Sequence, residues 1–200
     1  MEYNNMVDVM NIESFDIFPT TITSFSLKIN HKPMLDKLIY TDDESLRSND
    51  QLHKEKTWRP LVDGIHEATD VVLKTHQYEF DSLEITGMWA NRLDKGEAHP
   101  PHTHSNNFLS GVYYLKAGET SPIQFFDPRP AANVLQPRNS PNWHNSSMVQ
   151  FNSVEGVGYI FPSWLQHWVP PTKEHRVSIS WNILLRGHYG EPGTLQNAYI

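Results

Sequence analysis

Hydrophobic and polar residues alternate along much of the second half of the chain. In residues 176–183 every second side chain is apolar and those between are polar. Successive side chains of a β-strand point to opposite faces. One face of this strand is therefore predicted to pack on a core, and the other to line a ligand pocket or face solvent. Short segments rich in β-branched and aromatic residues predict further strands, at 83–93, 109–116, 122–126, 147–151, 157–161 and 175–185.

Within the first eighty residues, two segments have a helical period. Residues 14–29 are predicted to be extended, with Pro19 at an edge or bend, and residues 41–60 to form a surface connection. Pro33 is predicted to open a short helix, and a longer amphipathic helix is predicted further on. The apolar faces of the two helices would carry Met34, Leu35, Leu38 and Ile39, and then Leu61, Val62, Ile65, Ala68, Thr69, Val72 and Leu73.

Many short strands separated by Gly and Pro predict a sandwich or barrel. Among these folds the jelly roll commonly holds histidine metal sites. We therefore expect a mainly β protein with N-terminal helices and a double-stranded β-helix core, a jelly roll of the cupin type. A chain of 200 residues fits one domain. Residues 1–81 would form a helical and extended cover, and residues 82–200 the core that holds a metal site.

The composition limits the kinds of molecule that the protein can bind. Lys and Arg number 16 against 23 Asp and Glu, which leaves a net charge of −7. Nucleic-acid binding needs clustered basic residues, so a small-molecule or peptidyl substrate is expected instead. The chain has no cysteine, and a metal would have to be held by imidazole or oxygen ligands. No apolar run reaches the roughly 18 residues of a membrane span. We expect a cytoplasmic protein without a membrane partner, and a homodimer stays open.

Three of the 11 histidines lie within six residues, at His99, His102 and His104. In an extended chain, two residues at positions i and i+2 point to the same side. Pro100 and Pro101 favour that geometry, because a residue before proline avoids the helical region. The His-x-His pair is thus a candidate bidentate site for iron, zinc or copper. Surface histidines beside a proline turn are the alternative.

A second candidate region covers residues 156–185. It contains His167, surrounded by tryptophans and prolines, and the alternating strand that begins at Arg176. Arg176 faces the same way as Ser178 on that strand. The two side chains can offer a forked guanidinium and a hydroxyl to one carboxylate.

The chain resembles the iron(II)- and 2-oxoglutarate-dependent oxygenases. Within them it is similar to a group from marine bacteria and their phages that is distantly similar to prolyl hydroxylases. The resemblance implies that the cofactors are Fe(II) and 2-oxoglutarate. It also implies hydroxylation of an unactivated C–H in a prolyl-like or other small or peptidyl substrate, with release of succinate and CO2. The resembling stretches are WANRLDKGEAHPPHTHSNNFLSGVYYL, IQFFDPRP, YIFPSWLQHWVPP and HRVSISWN.

Residue by residue, the resemblance implies a role for five side chains. His102 takes the position of the first iron ligand and His167 that of the distal one. Arg176 takes the position of the residue that binds the C5 carboxylate of 2-oxoglutarate. Ser178 is its neighbour, and Tyr114 matches a tyrosine that helps to hold the same carboxylate.

The chain departs from the superfamily at His104, where a carboxylate is usual. Either His104 completes a three-histidine site, or the third ligand is water or a carboxylate such as Asp94, Glu97 or Asp127. Three neutral imidazoles leave iron(II) with its full +2 charge, whereas one carboxylate reduces it to +1. The dianion of 2-oxoglutarate can still chelate the more positive iron.

Two other classes of protein fit parts of the pattern. A cupin-type metalloenzyme could use three histidines without 2-oxoglutarate, which would leave Arg176 without a purpose. A non-catalytic jelly-roll binding module would bind no metal. Anaerobic titration with Fe(II) and 2-oxoglutarate separates the three hypotheses, because only the iron chelate of 2-oxoglutarate gives a weak visible charge-transfer band.

Overall fold

The computed structural model describes residues 12–41, 46–130, 132, 134–135 and 137–200. These residues form two large β-sheets, a small two-stranded sheet and a helical layer. The helices are α1 (Lys32–Leu35) and α2 (Arg59–Thr75), and two single-turn 3-10 helices cover Leu52–Lys54 and Lys56–Trp58. The strands are β1 (Thr23–Ser26), β2 (Ser82–Leu93), β3 (His99–His102), β4 (Leu109–Lys116), β5 (Ile123–Phe126), β6 (Met148–Phe151), β7 (Val157–Pro162), β8 (His167–Val169), β9 (Arg176–Arg186), β10 (His188–Tyr189) and β11 (Ala198–Tyr199).

The strands pair mostly with partners that are distant in sequence. A five-stranded antiparallel sheet has the order β1-β7-β4-β9-β2, and a four-stranded sheet has the order β3-β8-β5-β6. Apolar side chains of both sheets, such as Val112 on β4 and Phe125 on β5, pack into one cluster. The mainly β jelly roll with N-terminal helices is therefore confirmed. The division into a cover, residues 1–81, and a core, residues 82–200, stays a prediction, and residues 1–11 and 42–45 lie outside the described part.

The outer face of the five-stranded sheet is covered by α2. Leu61 and Ile65 of the helix join Ile179 and Trp181 of β9 in a second apolar cluster. Gly111 of β4 makes room for this packing, because a Cβ atom there would overlap the indole of Trp181. The predicted alternation along β9 therefore places the apolar face against the helix and leaves the polar face toward the other sheet.

Some predictions for the N-terminal region were wrong. Helix α1 ends at Leu35, so Ile39 lies beyond it and is 78% exposed. The extended segment 14–29 contains a strand only at β1, which pairs with β7. The presumed surface connection 41–60 buries Leu52 and Trp58 in the core, because its two 3-10 helices fold inward beneath α2. Single-turn helices are too short to show a period in the sequence.

Candidate active site

Two neighbouring strands of the four-stranded sheet, β3 and β8, bring the predicted histidine ligands together. His102 ends β3, His167 begins β8, and the two are direct partners in this antiparallel pair. His104 follows two residues later, where its backbone N–H donates to the carbonyl of Ser163 at 2.9 Å. One ring nitrogen from each histidine lies within 4.8 Å of the others. The three imidazoles therefore converge on one point.

Backbone carbonyls orient two of the three imidazole rings. Nδ1 of His102 lies 2.8 Å from the carbonyl oxygen of Pro100, and Nδ1 of His167 lies 2.9 Å from that of Leu165. A carbonyl can only accept a hydrogen bond, so each Nδ1 carries the proton. This tautomer leaves the lone pair of each Nε2 available to a metal. The hydrogen bond from Nδ1 to the carbonyl holds each ring in place.

Burial keeps the imidazoles of His99, His104 and His167 uncharged. Desolvation lowers the pKa of His167 to about 3, with a smaller contribution from the neighbouring His102 and against the opposing effect of the hydrogen bond to Leu165. Desolvation and His102 likewise lower the pKa of His104 to about 4. His99, whose ring centroid lies 4.4 Å from that of His102, has its pKa lowered to about 4 for the same two reasons. At neutral pH these rings are in the form that binds a cation.

The donor set fits a divalent transition metal. Three neutral nitrogen donors suit iron, zinc or copper and leave coordination positions open to other molecules. Within the described ranges, His102, His104 and His167 form the single group of three His, Cys, Asp or Glu that is close enough to hold an ion. His99 is adjacent but lies outside that group.

The structure places the three alternative carboxylates elsewhere. Asp94 pairs with Nδ1 of His175 at 2.6 Å, and this hydrogen bond is the main cause that lowers the Asp94 pKa. Glu97 accepts a hydrogen bond from the backbone N–H of Asp94 at 2.6 Å. Asp127 binds Arg129 at 2.7 Å, and that contact lowers the Asp127 pKa. None of the three carboxylates belongs to the metal-binding group.

A cavity of about 260 Å³ opens between the two sheets beside the histidines. This is slightly below the roughly 300–1,000 Å³ of common small-molecule pockets. Val112 and Phe161 form apolar walls, and Arg176 and Ser178 contribute polar groups from β9. The polar face predicted for this strand thus lines a pocket and does not face solvent.

Arg176 is a buried cation at the inner end of this cavity. The residue is 1% exposed. Its Nη1 donates to the carbonyl of Ser121 at 3.1 Å and lies 3.4 Å from Oγ of Ser153. Its Nε has no hydrogen-bond partner among the described residues. A buried charge is costly unless it is paired, so this guanidinium fits an anionic ligand such as a carboxylate.

Tyr114 and Ser178 lie on the same side of the sheet as Arg176. Tyr114 is the direct partner of Ser178 in the β4–β9 pair, and partners in neighbouring strands share a face. The Tyr114 ring centroid lies 5.0 Å from Cζ of Arg176. The Tyr114 hydroxyl is buried without a hydrogen-bond partner in the described structure. Its neighbour Tyr113 points the other way, into the cluster beneath α2.

Sequence reasoning missed the residues at the mouth of the cavity. Arg47, Asn91 and Arg92 all line it. Asn91 donates to Oγ of Ser180 at 2.9 Å. No local pattern could have indicated Arg47, because it lies in the stretch that was predicted to be a surface connection.

The fold and the cavity define a jelly-roll protein with a histidine cluster that can hold a metal. Residues 87–182, which include all six predicted site residues, match the family model described as "Putative 2OG-Fe(II) oxygenase". Over this segment the chain is similar to the 2OG-Fe(II) oxygenases. The family match and the histidine cluster together support an enzyme that depends on iron(II) and 2-oxoglutarate.

Solved structures share the fold at low sequence identity. A Pseudomonas putida prolyl-4-hydroxylase matches with a TM-score of 0.55 and 11% identity over 84% of this chain and 94% of that one. The viral collagen prolyl hydroxylase of Paramecium Bursaria Chlorella virus-1, in complex with 2OG, matches with a TM-score of 0.54 and 12% identity over 81% and 94%. The epimerase SnoN from nogalamycin biosynthesis gives 0.55 and 12% over 88% and 83%. No curated protein sequence matches the chain.

None of the described helices combines the length and the apolar character that a membrane-spanning helix requires.

Proposed function

We propose that the protein is a hydroxylase in which His102, His104 and His167 hold the iron. The observation that carries the proposal is that three imidazole nitrogens, all within 4.8 Å of one another, share a cavity with a buried guanidinium. Bound iron, with 2-oxoglutarate and dioxygen, supplies the oxidation of an unactivated C–H, and 2-oxoglutarate leaves as succinate and CO2.

Arg176, Tyr114 and Ser178 would bind the distal carboxylate of 2-oxoglutarate. The Nε–H of Arg176 and the O–H of Tyr114 are both buried without partners among the described residues. Donation of both to one carboxylate would satisfy them with charge-assisted hydrogen bonds. Val112 and Phe161, the apolar walls of the cavity, would keep water away from the reacting groups.

The use of His104 in place of a carboxylate has an electrostatic consequence. Three neutral imidazoles leave the metal more positive, so binding of the 2-oxoglutarate dianion is favoured more than in a site with one carboxylate.

The ring of His104 is nearly parallel to that of His167, with an interplanar angle of 12° and centroids 5.2 Å apart. This places their Nε2 atoms 3.4 Å apart, close enough for one cation to bind both.

The proposed substrate is a prolyl-like group or another small or peptidyl molecule. The proposal is supported by two of the fold neighbours, which are prolyl hydroxylases. A third neighbour is an epimerase, so likeness of fold alone does not select the reaction or the substrate. We also propose that the protein acts in the cytoplasm of a bacterium or of a phage-infected host. Two further predictions stay untested: that the protein has no nucleic-acid partner, and that it can form a homodimer.

Anaerobic titration with Fe(II) and 2-oxoglutarate tests the proposal. We expect a weak visible charge-transfer band in the wild-type chain and none in His104→Ala. His104→Asp should keep the band, because an aspartate restores the usual donor set of the superfamily. Metal uptake without the band would favour a cupin-type enzyme without 2-oxoglutarate. Absence of metal uptake would favour a non-catalytic binding module.

A further inference from the structure

The mouth of the cavity carries more positive charge than the iron ligands and the 2-oxoglutarate anchor explain. Arg47 and Arg92 line the cavity together with Arg176 and the histidines. Among the described residues that line it, every side chain is neutral or basic, and none is Asp or Glu. An anion that enters therefore meets attraction and no repulsion from the lining.

The backbone beneath Arg47 is held by β2. Ser48 donates its N–H to the carbonyl of Ala90 at 3.0 Å, and Arg92 donates its N–H to the carbonyl of Leu46 at 2.6 Å. The hydroxyl of Ser48 accepts a further bond from the N–H of Ala90 at 2.9 Å. Residues 46–48 thus extend the edge of the five-stranded sheet, and Arg47 projects from a supported position.

The indole of Trp89, called the shelf below, contacts Arg47 and lies beside His104 of the proposed iron site. Cζ of Arg47 lies 4.7 Å from the centroid of the indole, and that indole lies 6.1 Å from the ring centroid of His104. Trp89 is 8% exposed, and its Nε1–H donates to Oδ1 of Asn91 at 3.2 Å. A ligand that lies on this shelf would contact the guanidinium at one end and approach the iron site at the other.

Among the described residues, no carboxylate forms an ion pair with the guanidinium of Arg47. That guanidinium makes a cation–π interaction with Trp89. Asp50 has its pKa lowered first by the hydrogen bond from Gln51, and the charge of Arg47 is a lesser cause. At the same mouth, Nε of Arg92 has no hydrogen-bond partner among the described residues, but it lies 3.7 Å from Oδ2 of Asp94 in an ion pair.

The charges of the expected contents leave Arg47 available. One carboxylate of the 2-oxoglutarate dianion would bind the iron and the other would bind Arg176, so the dianion offsets two of the three positive charges that iron and Arg176 carry. Arg47 would still face the remaining space. The cavity, at about 260 Å³, suits a small molecule better than a folded partner.

We propose that the substrate is a small organic acid, such as a free amino or imino acid, whose carboxylate Arg47 binds above Trp89. The planar guanidinium can bind a carboxylate through two parallel hydrogen bonds. A prolyl residue inside a peptide has an amide at that position and would leave Arg47 unpaired. The inference rests on the proposed function and selects one of its substrate classes.

Calorimetry on the loaded protein tests this inference. The chain is loaded with Zn(II) and N-oxalylglycine, an unreactive analogue of 2-oxoglutarate that occupies the Arg176 position. The standard amino acids and simple monocarboxylic acids are then titrated, each beside its own neutral amide. We expect at least one acid to bind about 10- to 100-fold more tightly than its amide, the range of a charge-assisted contact.

Substitutions at Arg47 attribute that preference to one side chain. Arg47→Gln should reduce it to within about threefold, and Arg47→Lys should keep part of it because the charge remains. Arg59→Gln is the matched control: Arg59 is exposed on α2 and pairs with Asp63 at 2.8 Å, so its loss changes the net charge equally but not the cavity. Circular dichroism checks that each variant is folded.

Two results would overturn the inference: no acid binds more tightly than its amide, or the preference persists in Arg47→Gln. The visible band with Fe(II) and 2-oxoglutarate, measured in parallel, separates this failure from that of the proposed function. A band without any acid preference removes the substrate assignment alone. Absence of the band in the wild-type chain removes both.

Discussion

The two faces of the five-stranded sheet are built for different purposes. On the face beneath α2, residues such as Ile179 and Trp181 are completely buried among apolar neighbours. On the face toward the four-stranded sheet, Arg176 and Tyr114 are equally buried, but Arg176 carries a charge and lines a cavity. The same strands therefore carry a packed core on one side and a ligand cavity on the other.

The stability of the fold and the binding of ligands therefore depend on opposite faces of the sheet. Burial of apolar area stabilises the chain by roughly 25 cal/mol per Å², and the helix side supplies it continuously. The cavity side instead buries polar groups that cost free energy until a ligand pairs with them. Substitutions on the helix side should change stability and not ligand binding, and substitutions on the cavity side should do the opposite.

The largest expected effect is the loss of iron in His167→Ala. Mutation of a residue that hydrogen-bonds to a metal ligand typically lowers metal affinity by roughly 10- to 100-fold. Removal of the ligand itself should lower iron affinity by more than that. The fold should persist, because the neighbouring β5 and β7 remain packed. Anaerobic equilibrium dialysis with Fe(II) measures the affinity, and His188→Ala, at an exposed histidine, is the control. Tight iron binding by the His167 variant would contradict the proposed ligand set.

The second expected effect is on the opposite face of the sheet. Ile179→Ala removes a completely buried side chain and should lower the free energy of unfolding by about 2–5 kcal/mol. Urea denaturation of the metal-free chain measures it. Ile39→Ala, at an exposed position, should change stability by less than about 0.5 kcal/mol. If iron affinity of the folded Ile179 variant also fell strongly, the separation of the two faces would be refuted.

The third expected effect concerns the 2-oxoglutarate anchor. Arg176→Ala should raise the concentration of 2-oxoglutarate needed for half-maximal band formation by about 10- to 100-fold, because it removes a contact worth about 1.5–3 kcal/mol. Iron affinity should change far less. Arg186→Ala, on the same strand but in an exposed ion pair with Glu84, is the matched control. An unchanged requirement for 2-oxoglutarate would remove Arg176 from its proposed role.

The smallest expected effect is that of Tyr114→Phe. Loss of one hydrogen bond, worth about 0.5–1.5 kcal/mol, should weaken 2-oxoglutarate binding by about 2- to 10-fold. The metal-free chain should not lose stability, because the hydroxyl has no partner there. Band titration and urea denaturation provide the two readouts. A clear loss of stability without a change in 2-oxoglutarate binding would assign Tyr114 to the core.

Sequence reasoning recovered the long elements better than the short ones. The predicted strands at 109–116 and 157–161 agree with β4 and β7 to within one residue, because runs of apolar and aromatic residues bounded by turn residues are a strong local signal. The four-residue strands β5 and β6 were found by the same signal, at 122–126 and 147–151. The strands β3 (HPPH) and β8 (HWV) were missed, although both hold proposed ligands, because neither contains such a run.

The site itself was predicted unevenly. The shared face of Arg176 and Ser178 followed from alternation along one strand. The pairing of His102 with His104 also followed from alternation, whereas the role of His167 as the distal ligand came from the resemblance to a family. Arg47 could not be found by either route, because its place depends on hydrogen bonds between residues 46–48 and β2.

The sequence by itself determined the class of fold, the polar and apolar faces of the strands, and the local His-x-His geometry. These follow from backbone conformation over a few residues. Tertiary structure alone decided that His102 faces His167 across β3 and β8, and that Arg47 reaches the cavity mouth. Such contacts join residues far apart in the chain. Their register is set only when both faces of the sheet are buried at once.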